Sequence, residues 1–181
     1  MEVRVKRHCA LVSLVVAFVL CTNLAKAATQ NPFRPAFCGQ CTDGAWIAWV
    51  LDWGQRTVPS LGNATSWWYN APYSGFGRGA YPYVPSIMVF NGFQANRGLG
   101  HVAVVWGVSQ PWPGGSFLLY VSELNWSPAT AGNCNAPLQW HYFAYTPYQG
   151  AAYWWNGRQW VGTFPVLGFV YPKPNQPVRS N

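Results

Sequence analysis

Charge is what this 181-residue sequence has least of: 8% of its residues are charged, and 4 are acidic. So few charges exclude the charge-rich, weakly apolar composition of a disordered chain and the charge ladders of a coiled coil. Long apolar runs are missing as well. The longest, from Ala10 to Cys21, covers about a dozen residues, short of the roughly 20 that a membrane-crossing helix needs. No basic cluster follows it. Arg34, Arg56, Arg78, Arg97, Arg158 and Arg179 are scattered, which excludes the basic stripe of a nucleic-acid-binding surface. No segment repeats.

What is abundant is aromatic and turn-forming. Half the residues are apolar, 18% are aromatic, and there are 18 Gly and 15 Pro. That mixture predicts short strands joined by many turns, in one domain with a real core. Arg4, Lys6 and Arg7, then the apolar run, then Ala25-Lys26-Ala27 read as an export signal over residues 1–27. A leader kept as an anchor is the alternative, while Leu20 before Cys21 argues against a lipid-modified cysteine. The expected organisation is a signal at 1–27, a catalytic domain at 28–170 and a proline-rich flexible tail at 171–181, secreted or periplasmic. Removing the leader takes four of the 11 basic residues and one of the 4 acids, which turns the net charge from +7 into +4. A mild positive balance suits an anionic polymer such as cell wall and is equally an ordinary solubility feature.

Apolar spacing from Cys41 to about Trp53 predicts an amphipathic helix with Thr42 and Asp43 in its first turn. Residues 54–85 read as a long loop with at most one short helix, around Asn63–Ala71. Strands are predicted at Ser86–Phe90, His101–Ser109, Phe117–Trp126, Leu138–Tyr145 and roughly Trp160–Tyr171.

Cys9 and Cys21 leave with the signal, so Cys38, Cys41 and Cys134 remain. An odd number in an exported protein suggests one disulfide and one thiol kept for a reason. Cys41 opens a predicted helix, where unpaired N–H groups favour thiolate; pairing with another cysteine is the bland reading. His101 opens the strand HVAVVWGVS, sharing a face with Ala103 and Val105. Glu123 and Asn125 in YVSELNW share a face too, and a carboxylate inside so apolar a strand is costly unless it has a partner. A hairpin centred on Trp112 sets His101 opposite Glu123. A slip of two brings Asn125 or Val121 opposite instead, and a slip of one flips the face. Cys41, His101 and Glu123 then have the makings of a thiol, a base and a group that orients the base. Trp67, Trp68 and Tyr69 read either as a substrate groove, together with Tyr73, Trp154 and Trp155, or as core. His141 in QWHYFAY reads as a structural strand histidine.

Five segments, GQCTDGAW at 39–46, GNATSWWYNA at 62–71, YPYVPSIMVF at 81–90, GHVAVV at 100–105 and VSELNW at 121–126, come in the order found in the CHAP family of cysteine, histidine-dependent amidohydrolases and peptidases. The chain resembles that family, within the papain-like group, over about residues 36–145. The resemblance implies an α+β, papain-like fold with an N-terminal helix carrying the nucleophile on an antiparallel sheet. It implies Cys41 as nucleophile, His101 as base, and Glu123 with Asn125 orienting the imidazole, in an enzyme that cuts an amide bond in cell-wall peptide. Gln40 is a candidate oxyanion donor. Cys38, three residues before Cys41, resembles the papain cysteine that is disulfide-bonded, and by that parallel pairs with Cys134. The residues 31–40, NPFRPAFCGQ, lack the acids of calcium-binding relatives, so no metal and no cofactor are expected. Expected partners are peptidoglycan stem peptide and glycan, with an immunity or regulatory protein to restrain the enzyme. Competing readings are the same chemistry on another peptide or a polyamine conjugate, a non-catalytic wall-binding module, a Cys38-x-x-Cys41 oxidoreductase and a zinc site built on Cys38, Cys41, Cys134 and His101.

Overall fold

The apolar stretch that follows Cys41 does form a helix, α1 (Cys41–Ile47), which runs on through one π-helical turn, Ala48–Asp52. This computed structural model describes residues 31–55, 57–92, 98–126 and 131–173. The chain divides into two units after Asn31, and the helices and strands of the described residues belong to the second, Pro32–Asn181. The signal expected at 1–27 and the last eight residues lie outside the described ones. A second helix, α2 (Ala64–Asn70), occupies the loop where at most one was expected.

Among the described residues seven strands follow: β1 (Gly77–Gly79), β2 (Ser86–Phe90), β3 (His101–Val108), β4 (Phe117–Glu123), β5 (Gln139–Thr146), β6 (Ala151–Trp155) and β7 (Trp160–Tyr171). All pairings are antiparallel, in the order β1-β7-β2-β3-β4-β5-β6, and β6 also pairs with β7. The sheet thereby closes on itself. β7 makes closure possible because its first half pairs with β6 and its second half with β2 and β1. The fold is α+β, with few helices and an antiparallel barrel. Neither β1 nor β6 was anticipated from the sequence, and closure depends on β6.

Inward residues of the barrel, among them Met88, Ala103, Val105, Leu119, Val121 and Phe143, form one apolar core. On β2 and β3 the alternate residues Ile87, Val89, Val102 and Val104 are buried too, because α1 packs on β3 and β4, and α2 on β2, β3 and β7. Covered on both faces, these strands read as unbroken apolar runs rather than as alternation. On β4 and β5 the outward residues Tyr120, Trp140 and Tyr142 remain exposed.

The β3–β4 register departs from the expected hairpin by three residues near the turn and by two beyond it. Near the turn, Val108 pairs with Leu119 and Gly107 with Tyr120. Beyond a bulge at Trp106, Val105 pairs with Val121 and Val104 with Ser122. Continuing that register sets Glu123 opposite Ala103, diagonal to His101. The face is preserved and the direct opposition is not. The strand expected to reach Trp126 ends at Glu123, since Asn125 has a positive φ of 66°. Cys38 and Cys134 are joined by a disulfide, and the Gly132 amide beside it donates to the Cys38 carbonyl at 2.7 Å.

Candidate active site

Three elements converge on one side chain, His101. The first is the tip of α1. The Asp43 carboxylate in its first turn accepts from Arg34 Nε at 2.9 Å and from the Gly39 amide at 3.0 Å, tying the lead-in to the helix. Gly39 has a φ of 70°, and the chain turns there so that Gln40 and Cys41 come next. Cys41 is buried and is the free cysteine among the described residues.

The second element is β3, whose first residue is His101 itself. The ring is fully buried against Phe90 and Trp126, at centroid distances of 5.8 and 5.3 Å. Gly100, with a φ of 76°, delivers it; a Cβ there would strike the Thr65 side chain and come within 2.8 Å of the Phe90 carbonyl oxygen. The third is β4, which ends on Glu123. Its Oε2 lies 3.1 Å from His101 Nε2, and both side chains are enclosed. The charge of Cys41 acts on the same ring. With Nε2 turned to Glu123, Nδ1 is the nitrogen left for the thiol.

Electrostatics follow from this enclosure. Burial on its own pushes the His101 pKa down. The charge of Cys41 and the hydrogen bond to it, then the hydrogen bond to Glu123 and its charge, outweigh burial and raise it from 6.5 to about 9. Burial pushes Glu123 up, yet hydrogen bonds from His101 and His141 and the charges of those rings hold its carboxyl below the ordinary value. The arrangement favours the imidazolium form of His101, beside the Glu123 carboxylate and the Cys41 sulfur.

His141 contacts the same carboxylate: its Nε2 is 2.9 Å from Glu123 Oε1. Sequence reasoning assigned no partner to this histidine, and the structure supplies one. The signal was the alternation in QWHYFAY, which points Trp140 and Tyr142 outward and His141 inward with Phe143. Asn125 is in the site but not where expected. Its Nδ2 donates to Gln40 Oε1 at 2.6 Å, while the contact to His101 Nε2 belongs to Glu123. Its positive φ takes it out of the strand face shared with Glu123, which is why the two-residue spacing misled. That bond also orients Gln40, leaving the Gln40 N–H₂ as the end not engaged by Asn125.

A cleft of about 390 Å³ opens over this site, with Gln40, Cys41 and Thr42 on one side and Asn63, Leu99 and Gly100 on another. Its apolar walls include Phe33, Phe37 and Leu61. Trp67, Trp68 and Tyr69 do not line it. Trp67 is fully buried against Phe33 and Trp49, Trp68 lies under the Arg78 guanidinium at 4.8 Å, and Tyr69 is exposed elsewhere. On a seven-residue helix packed against the sheet only one face can look outward, and the helical turn puts Trp67 on the other.

The Cys38–Cys134 bridge removes two competing readings. It occupies the cysteine that a Cys38–Cys41 redox pair needs and two of the thiolates that the zinc site needs. Comparison with known proteins points one way. The family model described as CHAP domain matches residues 30–125, more than half of the chain. No curated protein and no solved structure matches the chain.

Proposed function

The chain belongs to the CHAP domain family, whose members are generally hydrolytic amidases or peptidases, and from that premise we propose that it is an exported hydrolase cutting an amide bond in cell-wall peptide, with Cys41 as nucleophile. The reading takes the fold as papain-like, its nucleophile at the tip of α1. The observation that carries it is the contact of the buried His101 ring, through Nε2, with Glu123 at 3.1 Å, while the charge of Cys41, the one described cysteine that is not in a disulfide, acts on the same ring.

The chemistry runs in two halves. His101 Nδ1 takes the thiol proton, and the Cys41 sulfur attacks the amide carbon, forming an S–C bond and placing the carbonyl electrons on oxygen. The backbone N–H at the start of α1 and the Gln40 N–H₂ are suited to that oxyanion. As it collapses, the C–N bond breaks, and the imidazolium gives its proton to the departing amine. Water, losing a proton to His101, then attacks the thioester carbon and releases the acid with the thiol restored. Glu123 holds the ring and balances its charge throughout.

Export draws support from the basic and apolar leader and from the disulfide, which persists in oxidising compartments. A mature net charge of +4 suits an anionic wall. Stem peptide and glycan are the proposed ligands, with an immunity or regulatory protein as the proposed restraint. The test is digestion of purified sacculi with fragment mass spectrometry. Release of peptide fragments by the wild type, lost in Cys41→Ala and His101→Ala proteins that keep the native circular dichroism, supports the reading. Undiminished release by Cys41→Ala overturns it, and release from a polyamine–peptide conjugate but not from sacculi moves the same chemistry to another substrate.

A further inference from the structure

Glu123 has two carboxylate oxygens to satisfy in an enclosed site, and only one of them serves His101. The other, Oε1, is 2.9 Å from His141 Nε2. His141 reaches it because β5 pairs His141 with Val121 and Gln139 with Glu123, which sets the histidine diagonal to the carboxylate on the inward face. Its second nitrogen, Nδ1, lies 3.2 Å from Trp154 Nε1 on the neighbouring strand β6. An indole N–H can only donate. Nδ1 must therefore accept, the proton of the neutral ring sits on Nε2, and that proton points at Glu123. The titratable groups facing the carboxylate are His101 from β3 and His141 from β5, with Cys41 from α1 beyond His101.

We propose that His141 is a positioning residue of the thiol site: held by Trp154 in its Nε2–H tautomer, it pins one oxygen of Glu123 and so aims the other at His101. Partners one layer out commonly orient a ligand or base in this way, by fixing a tautomer and a ring direction. This inference rests on Cys41 and His101 as the reacting pair.

A packing role and a positioning role predict opposite orders for two substitutions. His141→Phe keeps a ring among Trp126, Phe143 and Trp154 but cannot donate. His141→Gln loses the ring and keeps an N–H near the position of Nε2. The readout is alkylation of Cys41 by iodoacetamide from about pH 5 to pH 10, followed by mass spectrometry of the peptide that carries Cys41. The sulfur displaces iodide, so no wall substrate is involved. Positioning predicts that His141→Phe slows alkylation near neutral pH by roughly ten- to a hundred-fold, the factor expected from one hydrogen bond to a charged group. His141→Gln recovers most of that rate, and Trp154→Phe, which frees the tautomer, falls between. His141→Phe as fast as His141→Gln or faster overturns the proposal. Should His141→Phe fail to fold, wild-type reactivity in Trp154→Phe overturns it instead. A reactive wild-type thiol with an unaffected His141→Phe ends the role of His141 alone. An unactivated wild-type thiol with undiminished hydrolysis by Cys41→Ala ends the hydrolase reading, and this proposal with it.

Discussion

Replacing Cys41 by serine removes the charge that Cys41 exerts on His101 while keeping a side chain of similar size that can still hydrogen-bond. In the wild type, burial opposes charging of the ring, and Cys41 with Glu123 overcomes it, carrying the pKa from 6.5 to about 9. A pKa unit corresponds to about 1.4 kcal/mol, so the imidazolium contributes on the order of 3 kcal/mol to folding when fully formed. Because the folded pKa is raised, that contribution is complete below the unfolded value near 6.5 and is lost as pH rises through about 9. In Cys41→Ser, burial acts at full strength against Glu123 alone. The first-named upward influence, the charge of Cys41, is gone, so His101 titrates well below its wild-type value and the stability lost over that window shrinks.

Nuclear magnetic resonance of the His101 ring protons across the titration reads this directly. Urea unfolding at the same pH values is the companion measurement, and it includes the proton an unfolded cysteine releases near about 8.5 in the wild type only. A ring in Cys41→Ser that still titrates at about 9 would refute the reasoning, since the charge of Cys41 would then not be the source of the shift.

Gly100→Ala forces an L side chain to a φ of 76° and against the Phe90 carbonyl; it costs about 1–3 kcal/mol from the backbone alone, read as a lower melting temperature, with activity falling as His101 shifts. Asn125→Asp cannot donate to Gln40 Oε1 and repels it, which turns that oxygen toward the cleft. The expected loss is about 10²–10³-fold in kcat with KM little changed, the scale of one lost oxyanion donor, and a wild-type kcat would remove Gln40 from the mechanism. Trp67→Ala lowers stability by about 3–5 kcal/mol, as other large-to-small core changes do, whereas a groove residue would chiefly raise KM. The Cys38–Cys134 bridge spans a sequence separation of 96. Converting both residues to serine costs about 4–5 kcal/mol in the chain-entropy model, measurable by urea unfolding.

Much of the fold was legible wherever a local pattern decides it. SIMVF and HVAVV are apolar runs bounded by turn residues, and both are strands at the expected positions. The helix at Cys41 follows from apolar spacing in the same way, and the short one at Ala64 falls where the loop allowed at most one. Closure of the barrel was not legible, because it rests on a partner far along the chain: Ala151–Trp155 acquires its role only when β7 bends from β6 to β2. The side chosen by an aromatic residue was equally hidden. Composition says that Trp67 is bulky and apolar, and only the packing of α2 on the sheet says that it is core. The partners of His141 were hidden for a related reason, since they come from β4 and β6 and the second of these strands was not foreseen.

The diagonal meeting of His101 and Glu123 shows how narrowly a register argument can succeed. Counted from the turn, Val108 with Leu119 and Gly107 with Tyr120 define a ladder in which Glu123 would oppose Val104. Val104 points away from His101, so a regular hairpin would have carried the carboxylate to the wrong face. The extra residue at Trp106 changes that parity and brings Glu123 opposite Ala103. Trp106 is held in the bulge by its Nε1 bond to Ser122 Oγ at 2.7 Å and by an edge contact with Trp53 at 5.4 Å. Bulges re-aim side chains in this manner. The sequence-based hairpin centre was misplaced and contained no bulge, and these two errors cancelled in parity. What the sequence did specify was chemical: a lone acid in an apolar strand has to find a partner, and Glu123 finds two, His101 and His141.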